Sequence, residues 1–251
     1  MKFYSAILVL IFAYVCWLFY ASIGQLKYIA DGPNQYSLTH IELAPQDFKF
    51  AYSTTERNLL NIGLVDIEKY DSDIIVDLKY ATTDNFTDTI LYTDLKRAFL
   101  QAAIADKLLQ AQIKLKEIDS TLNLVIFDAT RPQSIQHKLW DWAIANDMKK
   151  YVASPWTGSN HNFGCAVDVS IMGKDSLLDM GTTYDYFGPE AEPRYQWQYL
   201  KEGKLTQTQI DNRLLLKNVM KAAGFQAIQT EWWHFNGISK ERARDYYRIV
   251  P

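Results

Sequence analysis

Apolar and polar positions divide the chain into one opening segment and a longer patterned body. Residues 3–23 are almost wholly apolar, with Ser5 and Ser22 the only clearly polar positions, and Lys2 is the only charge before residue 25. A positive start followed by about 20 apolar residues predicts a secretory signal or an uncleaved membrane anchor; a buried core helix is the remaining reading. Ser22-Ile23-Gly24 offers small residues for cleavage after Gly24. Residues 30–45, with Asp31-Gly32-Pro33-Asn34, read as a loop-rich lead-in. The body then alternates β-type and helical patterns. Residues 74–80 read as a strand, and polar residues 82–89 as turns. Leu95, Phe99, Ala102, Ala103, Leu108 and Ile113 have helical spacing and predict a helix over 94–116, with Thr93 or Asp94 as N-cap. Residues 122–127 predict a buried strand, 132–146 a helix with Pro132 in its first turn, and 166–171 another strand. An amphipathic helix follows over 206–223, closed by Gly224, and 225–235 reads as strand plus turn. Residues 187–203, rich in Tyr and Trp, read as a loop. No repeat or linker breaks the body, so one α+β domain over 25–251 is the economical architecture.

Composition narrows the function classes. The 251 residues carry a net charge of −3, and Lys and Arg are dispersed. Nucleic-acid binding is therefore not expected, since phosphate neutralisation needs a basic face. Two cysteines, Cys16 and Cys165, cannot form a disulfide framework. If residues 1–24 are removed, Cys165 stands alone, and an exported domain must then be held by its core or by a metal. Cys16 between Val15 and Trp17 is a poor lipidation site.

Three segments carry candidate chemistry. His161 lies in Ser159-Asn160-His161-Asn162-Phe163-Gly164-Cys165-Ala166-Val167-Asp168, and His234 in Glu231-Trp232-Trp233-His234-Phe235. A catalytic zinc takes three His or carboxylate ligands and leaves one position open; His161, Asp168 and His234 would supply such a set. Glu231 is then the candidate proton carrier, because apolar neighbours raise a carboxyl pKa towards the useful range. Glu231 and His234 also fit a structural polar pair beside a core. Arg131, in Phe127-Asp128-Ala129-Thr130-Arg131-Pro132, stands at the mouth of an apolar strand. It suits an oxyanion contact or a plain ion pair with Asp128. His40 and His137 read as structural or exposed, and Trp232 and Trp233 as core residues first.

Taken in order, these segments resemble the zinc D-alanyl-D-alanine dipeptidases, the enzyme type known from vancomycin resistance. The markers are Asp77-Leu78-Lys79-Tyr80-Ala81-Thr82 with Asp84-Asn85-Phe86-Thr87; Thr130-Arg131-Pro132; Ser159-x-His161-x-x-Gly164-x-Ala166-Val167-Asp168; Asp179-Met180-Gly181-Thr182-Thr183-Tyr184-Asp185; Asn212-Arg213 to Met220; Gly224-Phe225; and Glu231-Trp232-Trp233-His234. The resemblance implies one compact α+β zinc-peptidase domain with a central, mainly antiparallel sheet flanked by helices, preceded by the hydrophobic segment. It implies one zinc per chain on His161, Asp168 and His234, Glu231 as catalytic base, and Arg131 at the tetrahedral intermediate. It also implies substrate contacts from Ser159, from Asp185 to the free amino group, and from Tyr92. The chain departs from the family in Asn162-Phe163, where Ser-Arg is frequent, in Thr130, where an aromatic is frequent, and in Cys165 beside the metal set, a packing residue or a further soft donor.

The expected activity is zinc-dependent hydrolysis of D-Ala-D-Ala, or a related small D,D-peptide, to D-alanine. The exported start implies a periplasmic protein, soluble or tethered through residues 1–24, acting in wall-peptide turnover or recycling. The rivals are a D,D- or L,D-carboxypeptidase on longer muropeptides and a non-catalytic zinc domain that binds wall peptides.

Overall fold

The computed structural model describes residues 52–251. The expected leader at 1–24, the lead-in at 30–45, Cys16 and His40 lie outside those residues. In chain order the described elements are α1 (Thr54–Asn61), β1 (Leu64–Asp66), α2 (Ile67–Tyr70), β2 (Ile75–Val76), β3 (Phe99–Gln101), α3 (Ala102–Ile118), β4 (Asn123–Asp128), α4 (Gln133–Ala145), β5 (Ala166–Met172), α5 (Gln196–Lys201), α6 (Gln207–Ala222), β6 (Gln226–Ala227), β7 (His234–Asn236) and α7 (Lys240–Tyr246). Short 3-10 turns stand between several of them.

The mixed α/β architecture is organised by a five-stranded sheet, ordered β2-β4-β5-β7-β6. Only β2 and β4 run parallel; every other neighbour pair is antiparallel. Strands β4 and β5 are central, so both faces are covered. Leu124, Val125, Ile126, Val167, Val169 and Ile171 are buried accordingly. Helix α3 packs on β4 and on α6 through Leu108, Leu115, Leu216 and Met220. Helix α6 starts where the sequence predicts it: Thr206 Oγ accepts from Gln209 N, and Gln209 Oε1 accepts from Thr206 N. Gly224, at φ +90°, ends it.

Three expectations need correction. The helix expected over 94–116 begins only at Ala102, because Phe99–Gln101 pairs antiparallel with β1. Ala98, Phe99 and Leu100 are all buried in succession, which a one-sided helix does not produce. Asp94 caps nothing there; its Oδ2 accepts from Thr55 N. The strand expected over 74–80 is cut to Ile75–Val76. At Tyr80 the chain is already turning, and the Tyr80 carbonyl accepts from both Leu91 N and Tyr92 N, closing the polar turn segment. Residues 187–203 are not a loop: Pro189 and Pro193 each start a 3-10 turn, and α5 follows.

Candidate metal centre and its cavity

Sheet register sets the first part of the site. Asp168 in β5 lies directly opposite His234 in β7. On its other side Asp168 faces Asp128 of β4, because the β4 register shifts by one residue between Ile126 and Asp128. Such a bulge re-aims the side chains beyond it. Phe127 packs on the Tyr184 ring, and Asp128 reaches Arg131 and His161. Asp128, Asp168 and His234 thus form one row across three strands.

His161 comes from a separate device. Ser159 caps the 3-10 turn Asn160–Phe163: its Oγ accepts from His161 N at 3.1 Å, while Asn162 Oδ1 accepts from Ser159 N at 2.7 Å. Gly164 closes the turn at φ +66°. A Cβ there would lie 2.9 Å from Leu64 Cδ2 and 3.0 Å from Thr130 Oγ1.

The three donors meet in a small triangle. His161 Nε2 stands 3.1 Å from His234 Nδ1 and 3.2 Å from Asp168 Oδ1, and the third side, His234 Nδ1 to Asp168 Oδ1, is 3.0 Å. Bonds of about 2.0–2.1 Å to a tetrahedral ion imply edges of roughly 3.3–3.4 Å, so the triangle is close to one ready-made face. The outer nitrogens fix the tautomers. His161 Nδ1 donates to the Ala129 carbonyl at 2.7 Å, and His234 Nε2 donates to Asn236 Oδ1 at 3.0 Å. Both inward nitrogens then present lone pairs beside a carboxylate, an arrangement that calls for a cation between them. The residues therefore fit a metal ion. In the metal-free protein a proton answers the same demand. Burial pushes His234 down, but its hydrogen bond to Asp168 prevails and holds it at about 9. Burial pushes Asp168 up, but the two imidazoles outweigh it and hold the carboxyl well below its usual range. Tyr184 OH donates to the second Asp168 oxygen at 3.0 Å.

His161, Asp168, His234, Glu231, Arg131, Asp185 and Ser159 all line one cavity of about 400 Å³. Arg131 is locked: Nε and Nη2 donate to Asp128 Oδ2 at 2.9 and 2.6 Å, and Nη1 donates to Gln136 Oε1 at 3.1 Å. Its guanidinium lies over the Tyr80 ring, with Nη2 3.9 Å from Asp168 Oδ2. The ion pair with Asp128 and the cavity position both hold. Glu231 is half-buried before β7, between the cavity and the buried Trp232 and Trp233. Burial raises its carboxyl pKa, His234 opposes this and Asp168 adds to it. Asp185 sits at φ +56°. Burial lifts its carboxyl well above the usual range, Asp168 reinforces this, and Arg131 opposes it.

Tyr92 does not line the cavity. It is buried, and its hydroxyl donates to Asp128 Oδ1 at 2.6 Å, behind Arg131. Tyr80 lines the cavity instead and donates to Asp185 Oδ2 at 3.0 Å. The Ser159 hydroxyl is at the cavity wall but engaged in the turn cap. Cys165 is fully buried and outside the donor triangle; burial pushes its thiol up to about 12. His137 is exposed against Trp156. Sequence reading assigned no role to Tyr80, Tyr184 or Asn236. Asn236 had a usable signal, since it lies two residues beyond His234 and so on the same strand face.

The chain is similar in sequence to known proteins. A sequence model described as D-ala-D-ala dipeptidase matches residues 60–250. A D-alanyl-D-alanine dipeptidase of Escherichia coli (strain K12) is 35% identical over 173 residues, spanning 68% of this chain and 83% of that one. Another from Enterococcus faecalis is 27% identical over 69% of this chain and 91% of its own length. Among solved structures, a mutant of the vancomycin-resistance D,D-pentapeptidase VanY in complex with Zn(II) aligns over 60% of this chain and 79% of that one, with 17% identity and a TM-score of 0.31. The chain belongs to the D-Ala-D-Ala dipeptidase family.

Proposed function

We propose that this chain is a zinc peptidase that hydrolyses D-alanyl-D-alanine to two D-alanines, with His161, Asp168 and His234 as the metal ligands. The observation that carries the reading is the convergence, in one cavity, of the donor triangle, a carboxyl with raised pKa (Glu231) and a second such carboxyl (Asp185). Zinc in the triangle supplies Lewis acidity, which brings the pKa of water towards about 7. Glu231 takes a proton from the attacking water, holds it on a carboxylate of raised basicity, and delivers it to the leaving nitrogen. Arg131, held by Asp128 and Gln136, presents fixed positive charge to the developing oxyanion without reorganising. Asp185, backed by the Tyr80 hydroxyl, pairs with the free ammonium of the dipeptide. An N-blocked substrate leaves that carboxyl unpaired and is rejected. Ser159 holds His161 by its cap and presents its side to the substrate.

One observation favours longer substrates as a second reading: a neighbouring cavity of about 600 Å³ shares Phe86, Asp185 and Phe187 with the first. For location, Lys2 and the apolar run of residues 3–23 support export, with residues 25–251 as the working domain in the periplasm, free or tethered, and wall-peptide turnover as the role. The test is zinc-loaded protein given D-Ala-D-Ala, L-Ala-L-Ala and N-acetyl-D-Ala-D-Ala, with free D-alanine as readout. Release from the unblocked D,D-dipeptide alone is expected; release from the acetylated one moves the protein to the carboxypeptidases. Glu231→Gln should keep zinc and lose turnover, and loss of zinc instead would overturn its assignment as base.

A further inference from the structure

A dipeptide carries two charges, and the proposed mechanism accounts for only the ammonium. Four side chains of the cavity lining can be cationic: Arg131, His161, His234 and Lys240. Arg131 is buried, is held by Asp128 and Gln136, and is the group already assigned to the oxyanion. Each imidazole has one nitrogen turned to the donor triangle and the other bonded to Ala129 or Asn236. Lys240 is the exception. It opens α7 next to Ser239, is half-buried, and donates a long, solvent-exposed hydrogen bond to the neutral Thr157 Oγ1 at 3.5 Å. Among the described residues no carboxylate lies within ion-pair distance of its ammonium, although the exposed Glu241 follows it in the chain and shares the cavity rim. Burial and Arg244 depress its pKa, with Glu241 opposing. An ammonium at the cavity rim with no carboxylate in ion-pair distance can take an arriving anion.

We propose that Lys240 binds the C-terminal carboxylate of the substrate, so that the cavity selects a zwitterion, ammonium at Asp185 and carboxylate at Lys240. The inference rests on the dipeptidase reading above. It adds a specificity the ammonium contact cannot give: peptides amidated or extended at the C-terminal end lose the Lys240 contact even when the amino end is correct.

The experiment compares zinc-loaded full-length protein with Lys240→Met and Lys240→Arg, on D-Ala-D-Ala and on its C-terminal amide. A charge-assisted hydrogen bond corresponds to about tenfold to a hundredfold. In Lys240→Met the acid-over-amide preference in kcat/KM should collapse by that factor, through KM rather than kcat, and Lys240→Arg should retain most of it. Zinc content and unfolding midpoint establish that the variants are folded. An unchanged preference, or an equal loss on both substrates, overturns the assignment. A second measurement does not need turnover: calorimetric titration of D-Ala-D-Ala into zinc-loaded Glu231→Gln, with and without Lys240→Met. Weaker binding by the same factor supports the contact, and equal binding overturns it. A wild-type protein that neither hydrolyses nor binds D-Ala-D-Ala overturns the dipeptidase reading itself, a result distinguishable from both.

Discussion

Replacing Asp128 with Leu should destabilise the protein far more than its single carboxylate suggests. Asp128 is fully buried and accepts from Arg131 Nε and Nη2 and from Tyr92 OH. Its removal strands the guanidinium of Arg131 and the hydroxyl of Tyr92, residues that are 8% and 3% exposed. A buried charge left without its partner costs about 3–5 kcal/mol, and the orphaned hydroxyl adds about 1–3 kcal/mol. The two share one site and are not fully additive, so about 4–6 kcal/mol is expected. That is a large part of a typical total of about 5–15 kcal/mol. In a body of about 200 residues it lowers the midpoint by about 10–20 °C. The decisive variant is the double replacement, Asp128→Leu with Arg131→Met. Removing both members of a buried pair is often neutral, so the double variant should recover about 3 kcal/mol relative to Asp128→Leu, yet stay inactive for want of Arg131. Urea unfolding followed by tryptophan fluorescence, in chelator so that metal binding does not contribute, measures all three proteins. A double variant no more stable than Asp128→Leu would refute the reasoning, because the loss would then lie in the strand bulge and not in the stranded charge.

Other outcomes follow from the same geometry. Gly164→Ala meets a positive φ and contacts at 2.9 and 3.0 Å, so it should cost about 1–3 kcal/mol and weaken zinc binding by moving His161; chelator competition with unfolding curves checks both. Asn236→Leu removes the acceptor that fixes the His234 tautomer and should lower zinc affinity about tenfold to a hundredfold; unchanged affinity in a competition assay would sink that role. In zinc-free protein His234 is held at about 9, above its unfolded value near 6.5. Its stabilisation is therefore complete below about pH 6.5 and lost as pH rises through about 9. Asp168 is held low, so its share is present above about pH 4 and lost on acidification. Zinc must displace the His234 proton at pH 7, and calorimetry in two buffers of different ionisation enthalpy should show about one proton released; no release would contradict the assigned pair.

How much of this was legible depended on whether the pattern was local. Strands β4 and β5 and helices α4 and α6 each carry their own signal, whether an apolar run, a proline start, a capping pair or a closing glycine, and they lie within a residue or two of where the sequence puts them. The start of α3 did not, because Leu95 and Phe99 happen to keep helical spacing while Phe99–Gln101 pairs with β1, more than 30 residues earlier. Such pairing overrides propensity and leaves no local trace. At the site, sequence named residue types with the right chemistry, but the triangle depends on register. Asp168 meets His234 only because β5 and β7 pair in that alignment, and Asp128 joins the row only through a bulge that no composition signals. The tyrosine choice has the same origin. The Tyr80 carbonyl takes the amides of both Leu91 and Tyr92, so the two rings meet edge to face at 5.7 Å, one on the cavity side and the other against Asp128.

The carboxylates around the cavity show why these details belong together. Asp128 is tied to Arg131, Asp168 is driven below its usual range by two imidazoles, and Asp185 and Glu231 are driven above it by burial and by the charge on Asp168. Asp168, Asp185 and Glu231 packed so closely repel one another, and the fold resolves the repulsion by driving their pKa values apart rather than by separating them. Of these three, the acid held low lies in the triangle, where a cation is required. On the proposed reading the two raised acids lie where a proton is carried and where an ammonium is received. An arriving ammonium reverses the condition that raised Asp185: it pairs the carboxylate and favours its ionised form. A substrate without a free amine offers no such pairing and leaves the carboxyl as burial holds it. On the proposed reading, selection of the amino end is thus not a lock added to a metal site. It follows from the same charge crowding that makes the triangle demand a metal and leaves Glu231 basic enough to hold a proton.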